Sequence, residues 1–163
     1  MNHRENLAIR SRSSGLLLLG AFTLFGCGSK GAVSLSARVD NATVAVQPLA
    51  LGTQLSGEFD LLLELGSAAP ESTSVTLGTF SLKGEQDTAV PLTTTASETF
   101  PVEVGAGQSK SVHFVLDSSK LVDAAVADVL CSGDVWYSGT VTDTLSDGKP
   151  TVASSIKFTP SCE

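Results

Sequence analysis

Residues 131–162 read CSGDVWYSGTVTDTLSDGKPTVASSIKFTPSC, and this stretch decides the fold class. Val135, Tyr137, Gly139 and Val141 alternate with polar residues, so they share one face of a β-strand. Val152, Ser154, Ile156 and Phe158 do the same in a second strand. Leu145-Ser146-Asp147-Gly148-Lys149-Pro150 lies between them and carries turn chemistry. Matching apolar residues across the hairpin pairs Val135 with Phe158, Tyr137 with Ile156 and Val141 with Val152. The same register sets Cys131 opposite Cys162, although the cysteines play no part in choosing it. Directly opposed residues lie at a separation that a disulfide spans. The bond would close a loop on the order of 30 residues and stabilise the fold by about 3–4 kcal/mol in the chain-entropy model.

The same alternation runs through the rest of the chain from Ala32 onward. Val33, Leu35, Ala37 and Val39 alternate, Asp40-Asn41 reads as a turn, and Val44 and Val46 continue beyond it. Phe59, Leu61, Leu63 and Leu65 form one face of a strong strand. Residues 73–83 give another, with a shift at Gly78 that suggests a bulge. Residues 84–97 read as a long connection with a short edge strand near Val90. Phe100, Val102 and Val104 match Val112, Phe114 and Leu116 across the loop at 105–108, which predicts a hairpin and places His113 opposite Glu103. One segment breaks the pattern. Leu121, Val122, Ala125, Val126, Val129 and Leu130 recur at helical spacing, with Ser118 or Ser119 as N-cap and Gly133 beyond the end.

These elements predict a mainly β fold: a single antiparallel β-sandwich of seven to eight strands with one short crossover helix. The pattern resembles an immunoglobulin-like or fibronectin-like sandwich, without the antibody spacing of cysteine and tryptophan, since Trp136 follows Cys131 by five residues. A small β-barrel is the alternative.

The N-terminus carries a different kind of information. Arg4, Arg10 and Arg12 precede an apolar run from Gly15 to Gly26, which is shorter than the ~20 apolar residues that span a bilayer. A basic start followed by a short apolar segment reads as a secretory signal. The run ends in Leu24-Phe25-Gly26-Cys27, which resembles the lipobox of bacterial lipoproteins. That resemblance covers the first 27 residues only. It implies cleavage before Cys27, a diacylglyceryl thioether on its sulfur and acylation, such as palmitoylation, of its new amino group. Stable anchoring takes more than one acyl chain, and this arrangement supplies it without a transmembrane helix. Gly28 rather than Asp after the cysteine implies the outer membrane of a diderm envelope. The expected organisation is therefore a signal peptide over 1–26, a lipidated Cys27 with a short tether over 27–31, and one domain over 32–163. The tether residues Gly28-Ser29-Lys30-Gly31 extend only about 13–14 Å, which keeps the domain close to the bilayer. Export also places Cys131 and Cys162 in an oxidising setting.

Charge and motif content narrow the function. The chain carries a formal net charge of −7, and losing Arg4, Arg10, Arg12 and Glu5 with the signal moves it to −9. An acidic domain with no Lys/Arg cluster is a poor ligand for nucleic acid. No G-x-S-x-G, H-E-x-x-H, paired C-x-x-C or P-loop motif occurs. His113 is the only histidine after the signal, so no zinc site and no other cofactor is expected. Glu58, Asp60 and Glu64 share parity on a strand and read as its wet face. Asp143 and Asp147-Gly148 lack calcium-loop spacing and read as turn chemistry. Asn41-Ala42-Thr43 matches a glycosylation pattern and is read as part of a turn.

Trp136 falls on the face opposite Tyr137, where it is either packed under a helix or loop or available as a partner-binding anchor. The expected function is non-enzymatic: a membrane-anchored structural or partner-binding module. Two alternatives are a small-molecule or glycan-binding module using segment 93–97 or 105–110, and a hydrolase using His113 as general base.

Overall fold

The computed structural model describes residues 33–85 and 88–163. The expected signal segment, Cys27 and the expected tether lie outside them. The described residues form a mainly β structure with one short helix, arranged in two largely antiparallel sheets.

The first sheet contains β1 (Leu35–Leu49), β2 (Gly52–Leu65), β5 (Thr94–Ala96), β7 (Ser109–Leu116), β8 (Leu121–Val122) and β11 (Ser161–Cys162). Its order is β11-β1-β2-β7-β5, with β8 also pairing β2. The second contains β3 (Thr73–Gly84), β4 (Ala89–Pro91), β6 (Val102–Val104), β9 (Val135–Asp143) and β10 (Thr151–Ser154). Its order is β10-β9-β3-β4, with β6 also pairing β3. The helix α1 (Ala125–Leu130) lies between β8 of the first sheet and β9 of the second, so the chain changes sheets through it.

The alternating apolar residues point into one shared core. Phe59, Leu61 and Leu63 of β2 are fully buried, as are Val135, Tyr137 and Val141 of β9. Phe59 stacks on Phe114 in its own sheet (centroids 4.9 Å) and meets Phe80 and Tyr137 of the other sheet at 5.3 and 4.7 Å. Aromatic pairs in this range add to the stabilisation from burial alone. Gly139 leaves room for this cluster: a Cβ there would sit 2.5 Å from the Phe80 ring.

Asp40-Asn41 is not a turn. β1 runs straight through it as a bulge, with Asn41 in the left-handed region at φ 51° and a register shift between Asp40 and Thr43. Asn tolerates that conformation better than most residues. The bulge turns the Thr43 carbonyl to where the Tyr137 hydroxyl of the opposite sheet donates to it at 2.6 Å. Burial pushes the Tyr137 phenol well above its ordinary pKa, so it remains a donor. The bulge expected near Gly78 is present, as a register shift between Leu77 and Phe80.

Three further expectations need correction. The hairpin of 100–104 with 112–116 does not form. β6 pairs with β3 in one sheet (Val104 with Thr73, Val102 with Val75), and β7 pairs with β2 in the other. Alternation identifies a buried face but not the neighbouring strand, and both segments meet that demand in different sheets.

The β9–β10 hairpin does form, with Asp147 and Gly148 both at positive φ in its loop. Its register differs by one residue, pairing Val141 with Thr151 and Gly139 with Ala153. A one-residue slip reverses faces, so Val152 and Ile156 point outward (64% and 85% exposed) while Ala153 is buried. An extra residue between Ser154 and Phe158 then restores the expected pairing of Phe158 with Val135.

The helix is shorter than its periodicity suggests. Leu121 and Val122 pair with Gln54 and Thr53 as β8, and neither Ser118 nor Ser119 caps α1. The Asp123 carboxylate takes the Ala125 N–H instead, at 2.8 Å.

Candidate functional site

β7 lies beside β2 with His113 directly opposite Asp60. Both side chains project from the outer face of the first sheet, because their neighbours Val112, Phe114, Phe59 and Leu61 point into the core. His113 Nδ1 donates to Asp60 Oδ1 at 2.8 Å, and its Nε2 stands 3.6 Å from Glu58 Oε2. The Asn41 amide at the β1 bulge donates to Asp60 Oδ2 at 2.7 Å. Arg38 on β1 bridges Asp40 at 3.0 Å and Glu64 at 3.3 Å. His113 therefore meets the wet face of β2. It does not meet Glu103, which sits opposite Ser74 in the other sheet.

The Asn41 amide, and after it the His113 ring, hold the Asp60 carboxyl below the ordinary aspartate range. A depressed folded pKa contributes stability that is present above the unfolded value and is lost as pH falls through the folded one. Asp60→Asn is accordingly expected to lower stability at pH 7, with the gap to the wild type closing below about pH 4. Urea unfolding across that range checks this. A gap independent of pH would contradict it.

As chemistry, the cluster can orient an imidazole, but its second nitrogen faces another carboxylate. No hydroxyl or thiol among the described residues lies within hydrogen-bond distance of the ring. Nor is there, among them, a group of three or more His, Cys, Asp or Glu arranged to hold a metal ion.

Trp136 is half-buried on the outer face of the second sheet, opposite Lys83. The Lys157 ammonium lies 5.1 Å from its ring centroid and also bridges Glu85 at 3.2 Å. A cation seated on an indole is attracted by its π face. The Lys157 side chain thus lies over the indole of a half-buried Trp136.

Cys131 and Cys162 are bonded, with their Cα atoms 6.1 Å apart. The pairing matches the expectation, but the setting differs. Cys131 caps the C-terminus of α1, and Cys162 lies on β11, which pairs parallel to β1.

Two regions stand out that the sequence did not single out. At one end of the molecule, Leu49 and Leu51 at the β1–β2 turn and Leu121 of β8 are exposed, Leu51 at 91%. At the other end, where the chain enters β1, a cavity of about 370 Å³ opens between Val33, Leu35, Pro70, Asp143 and Leu145. Segments 93–97 and 105–110 contribute nothing to its lining. Sequence signals for both existed: an apolar turn, Leu49-Ala50-Leu51, where polar residues are usual, and an acid ending a strand. No family model, curated protein or solved structure matches this chain.

Proposed function

We propose that this chain is a bacterial outer-membrane lipoprotein, anchored through acyl groups on Cys27, whose non-catalytic β-sandwich binds a partner protein at its membrane-distal tip. The observation that carries the reading is the placement of the Leu49–Leu51–Leu121 cluster. Leu35 and Leu49 are the two ends of one 15-residue strand, so the cluster stands roughly 40–45 Å from the point where the chain enters the domain. An anchor at Cys27 holds the Leu35 end at the bilayer and directs Leu51 away from it. Exposed leucines at one tip favour contact with an apolar partner surface. The shared core and the Tyr137–Thr43 bond between sheets support the sandwich arrangement. No helix among the described residues is long and apolar enough to cross a membrane, and a lipid anchor needs none.

The hydrolase reading draws on the 2.8 Å His113–Asp60 contact. The second carboxylate beside the ring, with no nucleophile at hand, favours a solvated cross-strand cluster instead.

The test is site-specific photocrosslinking in cells. A photoreactive phenylalanine replacing Leu51 is expected to give one discrete protein adduct that the same replacement at the exposed Glu103 does not. Leu51→Glu in the otherwise native chain is expected to weaken recovery of that partner by about tenfold or more, in keeping with the loss of one central apolar contact. Failure to obtain a discrete adduct at Leu51 would remove the tip as a binding site.

A further inference from the structure

We propose that His113 and Glu58 form a two-ligand site for a zinc ion on the outer face of the first sheet. This goes beyond the partner-binding reading and does not depend on it. The His113 ring is held from behind. Its Nδ1 donates to Asp60 Oδ1 at 2.8 Å, and the Asn41 amide donates to the other Asp60 oxygen at 2.7 Å. An imidazole that gives its Nδ1–H to a carboxylate presents Nε2 as a lone pair. The same support, a carboxylate on the far nitrogen, is the usual second partner of a metal-bound histidine, where it sets the tautomer and the ring orientation.

Glu58 precedes Asp60 by two residues on β2 and so shares its outer face. Its Oε2 stands 3.6 Å from His113 Nε2. With the ring proton on Nδ1, two acceptors face each other there, an arrangement that an added cation relieves. Bonds of about 2.0–2.1 Å from one zinc ion to both atoms span that 3.6 Å at an angle of roughly 120°, near the tetrahedral value. Both ligands are open to solvent, the His113 side chain at 44% exposure and Glu58 at 56%, so an ion reaches them and waters complete its coordination. Arg38 on the same face bonds Asp40 and Glu64 rather than Glu58. One imidazole with one carboxylate suits zinc, whereas calcium takes a shell of oxygen ligands. The sequence predicts no zinc site because one histidine follows its signal-like start; the second ligand is a carboxylate that β2 brings beside β7.

The full chain, isotopically labelled, is titrated with zinc chloride and, in parallel, with calcium chloride at about pH 7.5, where an ordinary histidine is neutral. The ring nitrogens of His113, assigned by their loss in His113→Ala, are followed directly, so ligation elsewhere on the chain does not register. Zinc is expected to give a saturable shift at Nε2 while Nδ1 keeps its proton, and calcium to give none. Glu58→Gln, at an exposed position, should weaken zinc binding by about tenfold or more. No saturable change at Nε2 with zinc up to about 1 mM, or the same response to zinc and calcium, would overturn the proposal on the unsubstituted chain alone. Zinc affinity unchanged by Glu58→Gln would overturn it as well, leaving a lone histidine rather than a site.

Discussion

Gly57→Ala is expected to destabilise the domain by about 3–5 kcal/mol, at the high end for a single added methyl group. Gly57 pairs with Val44 immediately after the β1 bulge. A Cβ there would lie 2.2 Å from the Thr43 carbonyl oxygen and 2.9 Å from the Val44 Cα. Both are backbone atoms of a central strand, so neither can move aside as a side-chain tip could. Gly57 also sits at φ 156°, which L residues rarely adopt. The Thr43 carbonyl is the acceptor for Tyr137, so any shift that relieves the clash also disturbs the one side-chain hydrogen bond between Tyr137 and the opposite sheet. Urea denaturation of wild type and variant measures the effect. A change under about 1 kcal/mol, the ordinary size for a single substitution, would mean that the bulge is not held as described.

Removing the disulfide is the second large effect. The bond joins residues 31 apart in sequence, which corresponds to about 3–4 kcal/mol of lost chain entropy in the unfolded state. It also determines how the C-terminus is held. β11 is two residues long and pairs with β1 only at Ala45 and Val46. Two ladder positions cannot hold a terminal strand for long, so the bond to α1 does most of the fastening. The variant with both Cys131→Ser and Cys162→Ser is expected to melt roughly 10–15 °C lower than the oxidised protein. Amide exchange near Ser161 should accelerate far more than exchange in β2. A melting shift of only about 2–3 °C would show that the crosslink constrains little.

The sequence was most informative where period alone decides. The buried faces of β2 and β9 follow directly from alternation at Phe59–Leu65 and Val135–Val141, and so does membership of a mainly β fold. Alternation is silent about which strand lies next door, and that is why it pairs Val104 with Val112 across a loop that instead passes from one sheet to the other. The slip in β10 has a similar origin. Counting apolar residues favours Val152 inside, yet the inward position faces Gly139, which Phe80 already covers, and there the small Ala153 is buried. The cysteine pair was found through a register that holds at Val135–Phe158 but not farther along the hairpin.

The His113 cluster could not be seen because it depends on β7 lying beside β2, a contact between residues 53 apart in sequence. Its ingredients are visible, since Glu58 and Asp60 read as the wet face of their strand and His113 reads as standing opposite a carboxylate. The bulge has two signals in the sequence: Asn41, which alternation alone reads as part of a turn, and an isolated glycine, Gly57, in the next strand. A lone glycine inside a strand pattern marks close backbone approach, and here it does.

Attachment at Cys27 would set the address, the orientation of the Leu51 tip and the oxidising environment together. Its most direct test is the intact mass of the protein extracted from the membranes of the cells that make it. The expected species is a polypeptide that begins at Cys27 and carries the added mass of a diacylglyceryl group and an amide-linked acyl chain. An unmodified chain that still contains residues 1–26, recovered from the soluble fraction, would contradict it.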